Sequence, residues 1–299
     1  MRQVFGQYKG VQLVKAGVET SHVTVPSADG HAVPVRIYRR TRAGRDLPLF
    51  VYYHGGGFFG GSPDIVEQMC KLLVLNYDCV AFNVDYRLCP ENHYPAPFDD
   101  CFYATRWAHD HAAEFGGSGD RLAVGGDSAG GNLAAAVTLR DRDEGAGLVK
   151  AQVLLYPSVN ISGRRTDFYH GTDITKYHRS RRHAKVLDAM SRLTTGTVVG
   201  EGNLLEKVYL QGHLDPENVY ASPLLDSQRD VPPTLLLFGE HDFLACEDWA
   251  YAKTLRAAGR SLKTIVYRGL WHGFADQIGV CPQAEDSILE IAHFLSAEL

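Results

Sequence analysis

The sequence has no apolar run approaching the ~18 residues that a membrane-spanning helix requires, and its first ten residues, MRQVFGQYKG, hold no apolar stretch of signal-peptide length. These absences argue against stable membrane insertion and make a soluble, cytoplasmic protein the expectation. Positive charge is not in excess either. Thirty Lys and Arg stand against 35 Asp and Glu, for a net charge of −5, so no global field draws the chain to nucleic acid or anionic lipid. Cysteine pairs are missing as well. The six cysteines (Cys70, Cys79, Cys89, Cys101, Cys246, Cys281) contain no Cys-x-x-Cys and several sit inside apolar runs. That usage fits buried free thiols in a reducing compartment. There is no internal repeat and no low-complexity tract.

What is present is an ordinary globular composition: 299 residues, 45% hydrophobic and 22% charged. A folded chain of this mass exposes roughly 12,500 Å², and length alone allows one large core or two small ones. Short apolar runs alternate with amphipathic segments. The runs cover Ser21–Val25, Val33–Tyr38, Pro48–Tyr53, Cys79–Val84, Arg121–Gly125, Ala151–Tyr156, Pro233–Phe238 and Leu262–Tyr267. Most are bounded by Gly, Pro or Asp, as strands are. From the third onward they are almost continuously apolar, which suits a mostly parallel sheet covered by helices on both faces. Helical patterns are expected from Pro63 to about Asn76, over Pro97–Phe115, Asn132–Arg140 and Asp248–Ala258, and over Ala284–Glu298. Between Tyr156 and Pro233 lies a long stretch with no convincing buried strand, which predicts a helical insertion that covers something. Its first part, Arg164–Lys185, carries seven Lys and Arg and two Asp. Two readings apply there: a solvated helical face, or a basic rim attracting anionic molecules.

The chemistry concentrates in a few loops. Gly126-Asp127-Ser128-Ala129-Gly130 matches Gly-x-Ser-x-Gly, with a strand expected before it and a helix after. A chance match in this composition is expected about 0.14 times, and the strand–turn–helix context strengthens the assignment of Ser128 as nucleophile. A serine hydroxyl needs a base to take its proton and donors to hold the oxyanion. Directly after the third run comes His54-Gly55-Gly56-Gly57-Phe58, where the absence of Cβ atoms lets backbone N–H groups converge. A phosphate-binding loop is the weaker alternative, because neither a following Lys-Ser/Thr nor a ribose-binding acid is found. Of the thirteen histidines, His272 stands after the last run and before the last helix. Asp242 follows the Pro233–Phe238 run, with Glu240 as its local competitor. The order Ser128, Asp242, His272 is that of α/β-hydrolases, and all three lie past the carboxyl ends of expected strands.

The segments HGGGF (54–58), DYRLCPE (85–91), YPAPFDD (94–100), GDSAGGNLAA (126–135), ASPL (221–224), PPTLLLFGEHDFL (232–244) and WHGF (271–274) together resemble the hormone-sensitive lipase family of α/β-hydrolase esterases. The resemblance runs from about Pro48 to the C-terminus. It implies an α/β-hydrolase fold with an eight-stranded, mostly parallel sheet, capped by about residues 1–20 and an insertion at about 158–220. It also implies Ser128 as nucleophile, Asp242 as acid, His272 as base, and an oxyanion hole of the Gly56, Gly57 and Ala129 amides. His54 resembles the loop-ordering histidine, and Arg87 and Glu91 match structural positions. No metal or cofactor is implied. The expected activity is hydrolysis of short- to medium-chain carboxylic esters through an acyl-enzyme. Amide or lactone hydrolysis by the same residues is the nearest rival, and a non-catalytic small-molecule receptor on the same fold is the more distant one. The expected partner is a small ester. Relatives often form homodimers, and no sequence feature selects that state here. Two departures stand out: Cys89 where the family often has Ala, and Phe243 where it often has Pro after the acid. Phe58, Phe59, Trp271 and Phe274 are candidate pocket walls, with core packing the equal alternative for each.

Overall fold

The computed structural model describes residues 10–171 and 204–299. Eight strands form one sheet, in the order β1-β2-β4-β3-β5-β6-β7-β8. β1 (Val18–Pro26) and β2 (Ala32–Arg40) make an antiparallel hairpin, and β2 also runs antiparallel to β4 (Val80–Val84). From there β4, β3 (Leu47–Tyr53), β5 (Gly117–Asp127), β6 (Val149–Leu155), β7 (Thr234–Gly239) and β8 (Leu262–Tyr267) are all parallel. Burial follows the layering. Every residue of β3, β4 and β7 is buried, whereas the edge strand β1 is mostly exposed. The near-continuous apolar character of the central runs reflects cover on both faces. Each of the eight apolar runs is a strand.

Five α-helices among the described residues supply that cover: α1 (Pro63–Asn76), α2 (Ala96–Asp110), α3 (Ala129–Asp143), α4 (Ala245–Ala257) and α5 (Pro282–Glu298). α1 packs on α5, while α2 and α3 pack together against β5. The chain steps one way across the sheet from β3 to β4 and the other way from β4 to β5. Right-handed crossovers therefore put α1 on one face and α2 and α3 on the other. The reversal brings the carboxyl ends of β3 and β5 side by side, the place where open α/β sheets hold their ligands. Two helices begin three residues before their expected patterns: α3 at Ala129 and α4 at Ala245.

The core is continuous, from Val25 in β1 to Leu295 in α5. One core therefore serves the described residues. Between β6 and β7 the described residues contain no strand. The returning part of this segment holds a single π-helical turn, Glu206–Leu210, and a 3₁₀ turn, Pro223–Leu225. The turn is anchored by stacking. Tyr209 is fully buried and lies parallel to Phe58 at 3.9 Å between ring centroids, and His213 stacks on His93 at 3.7 Å. Residues 172–185 of the basic segment lie outside the described residues. Of its described arginines, Arg164 pairs with Glu217 at 2.6 Å. No described helix is long and apolar enough to cross a membrane.

Candidate active site

The nucleophile candidate sits on a strained turn that its glycine neighbours permit. Ser128 follows β5 directly and adopts φ 55°, ψ −116°, a conformation that costs of order 1–3 kcal/mol for a residue with a Cβ. The turn is tight because the neighbours are glycines. A Cβ at Gly126 would overlap the Gly130 carbonyl, and one at Gly130 would overlap the Tyr53 carbonyl of β3. The chain then enters α3, whose first residue is Ala129. A 15-residue helix thus points its N-terminus, the positive end of its dipole, at the space around the Ser128 hydroxyl.

His272 and Asp242 meet this serine. His272 Nε2 lies 2.8 Å from Ser128 Oγ, and its Nδ1 lies 2.9 Å and 3.0 Å from the two Asp242 oxygens. A carboxylate only accepts, so Nδ1 carries the proton and Nε2 is free to accept from the hydroxyl. Asp242 is 2% exposed and also accepts from the Leu244 N–H at 2.8 Å. The imidazole is held by packing as well: Tyr156 meets it edge-on at 4.8 Å and Phe243 lies 4.5 Å away. Sequence reasoning missed Tyr156 and saw Phe243 only as a departure. Phe243 fills a place beside the ring that a proline would fill less fully. Glu240 does not reach the histidine ring in this arrangement. It accepts from the Gly269 N–H at 2.9 Å and so shapes the loop that carries His272. The two loops are joined again where the His241 N–H donates to the Leu270 carbonyl at 2.8 Å.

The glycine loop lies against the serine turn, with the Gly55 N–H donating to Asp127 at 2.9 Å. Gly56 and Gly57 have φ of 124° and 62°, values that favour glycine. A Cβ at Gly56 would overlap the Gly60 carbonyl. The N–H groups of Gly56, Gly57 and Ala129 donate to no acceptor among the described residues, which leaves them available to an oxygen from outside. His54 is fully buried, donates from Nδ1 to the Gly55 carbonyl at 2.8 Å and stacks on Tyr86 at 4.4 Å. Burial pushes its pKa down to about 4, so the ring is neutral. Arg87 grips the fully buried Asp100 through its backbone N–H and its guanidinium, at 2.8–2.9 Å, and reaches Asp29 at 2.6 Å. That structure-building role matches the expectation for Arg87, while Glu91 is exposed. Of the candidate walls, Phe58 and Phe274 are core, Phe59 is half-buried and Trp271 is 42% exposed. No group of three His, Cys, Asp or Glu among the described residues is arranged to hold a metal ion.

Residues 50–276 match the model of a family described as α/β-hydrolase fold. The chain belongs to the hormone-sensitive lipase family of α/β-hydrolases. Among its relatives, carboxylic ester hydrolase LipN of Mycobacterium tuberculosis is 37% identical over 272 residues, 86% of this chain and 64% of LipN. The chain therefore spans a little under two-thirds of that relative. Carboxylesterase NlhH of the same organism is 32% identical over 256 residues, covering 85% of this chain and 75% of NlhH. A solved esterase from Pyrobaculum calidifontis superposes with a TM-score of 0.78 at 32% identity, covering 93% of this chain and 85% of that one. Family membership accounts for the α/β-hydrolase sheet. Cys89 is buried, and none of the six cysteines forms a disulfide.

Proposed function

We propose that this protein is a serine carboxylic ester hydrolase acting on small esters through an acyl-enzyme. The observation that carries the reading is the hydrogen-bonded line Asp242–His272–Ser128, at 2.9 Å and 2.8 Å. His272 Nε2 takes the Ser128 proton as Oγ attacks the ester carbonyl, and Asp242 holds the tautomer and stabilises the imidazolium. Gly56, Gly57 and Ala129 offer their N–H groups to the oxyanion. His272 then returns its proton to the leaving alkoxide. In the second step a water molecule, deprotonated by the same nitrogen, releases the acid and restores Ser128. The naming of relatives as carboxylesterases supports this reading over amide or lactone hydrolysis and over a non-catalytic receptor.

The preferred acyl chain is short to medium, as the resemblance suggests. The cap is assigned to about residues 1–20 and 158–220. The anchoring of Tyr209 on Phe58, next to the glycine loop, supports a covering role for the second of these. The absence of disulfides among the six cysteines favours a reducing compartment. The test is a panel of p-nitrophenyl esters of graded acyl length, assayed with wild type and Ser128→Ala. Turnover that peaks at short or medium acyl chains and disappears in the variant is expected. Absence of turnover on every ester, or a full rate in Ser128→Ala, overturns the reading.

A further inference from the structure

Asp127 precedes Ser128 and takes no part in the steps above, yet it is only 5% exposed. Its Oδ1 accepts two hydrogen bonds, from the Tyr52 hydroxyl at 2.9 Å and from the Gly55 N–H at 2.9 Å. Gly55 is the first glycine of the loop whose next two amides face the site. A Cβ on Gly55 would overlap Asp127 Oδ2, so loop and carboxylate are in direct contact as well as bonded. Tyr52 is itself fully buried in β3 and holds the carboxylate from the sheet side. The loop is thus tied to the end of β5 through one oxygen. A charge-assisted bond from an amide to a carboxylate is roughly twice as strong as its neutral counterpart, so the tie depends on the charge.

We infer that Asp127 is a positioning residue for the oxyanion hole: its ionised carboxylate fixes the Gly55 amide and thereby the Gly56 and Gly57 N–H groups. This rests on the ester-hydrolase reading and adds a second ionisation to it. Burial raises the Asp127 carboxyl to about 6, against the opposing pull of the Tyr52 and Gly55 donors and of His272. Around it, Tyr52 from β3, Tyr86 after β4, Cys70 from α1 and Tyr156 after β6 are all pushed up by burial and stay neutral. His54 is neutral for the opposite reason. His272 lies near Asp127, and Asp276 lies beyond it near Tyr52. Below about pH 6, protonated Asp127 accepts more weakly, and the loop amides lose their fixed aim.

The experiment measures kcat and KM on p-nitrophenyl butyrate from pH 5 to 9 for wild type, Asp127→Asn, Tyr52→Phe and Ser128→Ala. Wild type is expected to need one deprotonation more on the acid limb of kcat than the catalytic base itself requires, that of Asp127. Asp127→Asn should lower kcat about tenfold or more, keep KM within about twofold, and leave an acid limb with one deprotonation. Tyr52→Phe removes a donor to the carboxylate and should move the acid limb to higher pH, a result that stands even if Asp127→Asn does not fold. A kcat within about twofold of wild type in Asp127→Asn overturns the inference. So does a lowered kcat with an unchanged acid limb, which would make Asp127 merely structural. In either case Ser128-dependent turnover would leave the ester-hydrolase reading intact. If wild type has no Ser128-dependent turnover, that reading fails and takes this one with it.

Discussion

At the scale of the residue, the site is a set of side chains whose roles are chosen by their surroundings. Two acidic side chains lie two positions apart in the loop after β7. Asp242 is buried against His272, while Glu240 is half-buried and bonds a backbone amide. Asp242→Asn is therefore expected to cost about 10³–10⁴ in kcat, because the amide can hold the wrong tautomer. Glu240→Ala should cost much less, and steady-state kinetics of the two variants decides between them. A third acid, Glu247, shows the same dependence on environment. It is fully buried at the start of α4 and accepts from the Val159 N–H at 2.8 Å. Burial raises its pKa to about 8, against the pull of that bond. A carboxyl whose folded pKa exceeds its unfolded one favours the fold fully below the unfolded value, and that contribution is lost as pH rises through the folded one. Stability should accordingly decline between about pH 4.5 and pH 8 on account of this group. Glu247→Gln keeps an acceptor for Val159 and cannot ionise. Its melting temperature should equal or trail wild type at pH 5 and exceed it at pH 8.5, by the equivalent of about 1–3 kcal/mol.

At the scale of the element, the strand–turn–helix unit β5–Ser128–α3 depends on close backbone approach. α3 buries twelve of its fifteen residues, among them Ala134, Ala135 and Ala136, whose small side chains let it lie near the sheet. Gly130 is the tightest point, where a Cβ would enter the Tyr53 carbonyl of β3. Gly130→Ala must push the helix away from the sheet or strain the turn, and should cost at least about 3 kcal/mol. Chemical denaturation would measure this, and a loss below about 1 kcal/mol would show that the helix can shift freely. The elements themselves were legible in the sequence. All eight apolar runs are strands, and the helices begin or end within a few residues of their periodic patterns. The periodic patterns start three residues later than α3 and α4 do. Ser128 and Ala129 look like turn residues, and the buried Glu247 and Asp248 near the start of α4 break the apolar stripe. Both signals are overridden by tertiary burial.

At the scale of the whole molecule, the site draws on loops at residues 54–58, 127–129, 240–243 and 268–274, so it exists only when the sheet is complete. The segment between β6 and β7 is tied onto this assembly by Tyr209, stacked on Phe58 beneath the glycine loop, and by Asn132, which donates to the Ser158 and Ala221 carbonyls at 2.7 Å and 2.9 Å. Tyr209→Ala removes a fully buried ring and should destabilise the protein by about 3–5 kcal/mol. It should also lower kcat/KM, since Phe58 would lose its support. Tyr209→Phe, which keeps the ring, should restore both in thermal melts and ester assays. The sequence by itself determined the order of elements, the parallel character of the central sheet and the chemistry available in each loop. Those properties depend on residues close in the chain: periodicity, glycines at the turn, and a serine between strand and helix. Only the tertiary structure decided which aromatic rings brace the histidine, and that Asp127 ties the glycine loop to β5. Ser128 and His272 are 144 residues apart, and Asp127 and Gly55 are 72 apart. Contacts of that kind are set by sheet order and crossover handedness, which act across the entire chain and leave no local pattern to read.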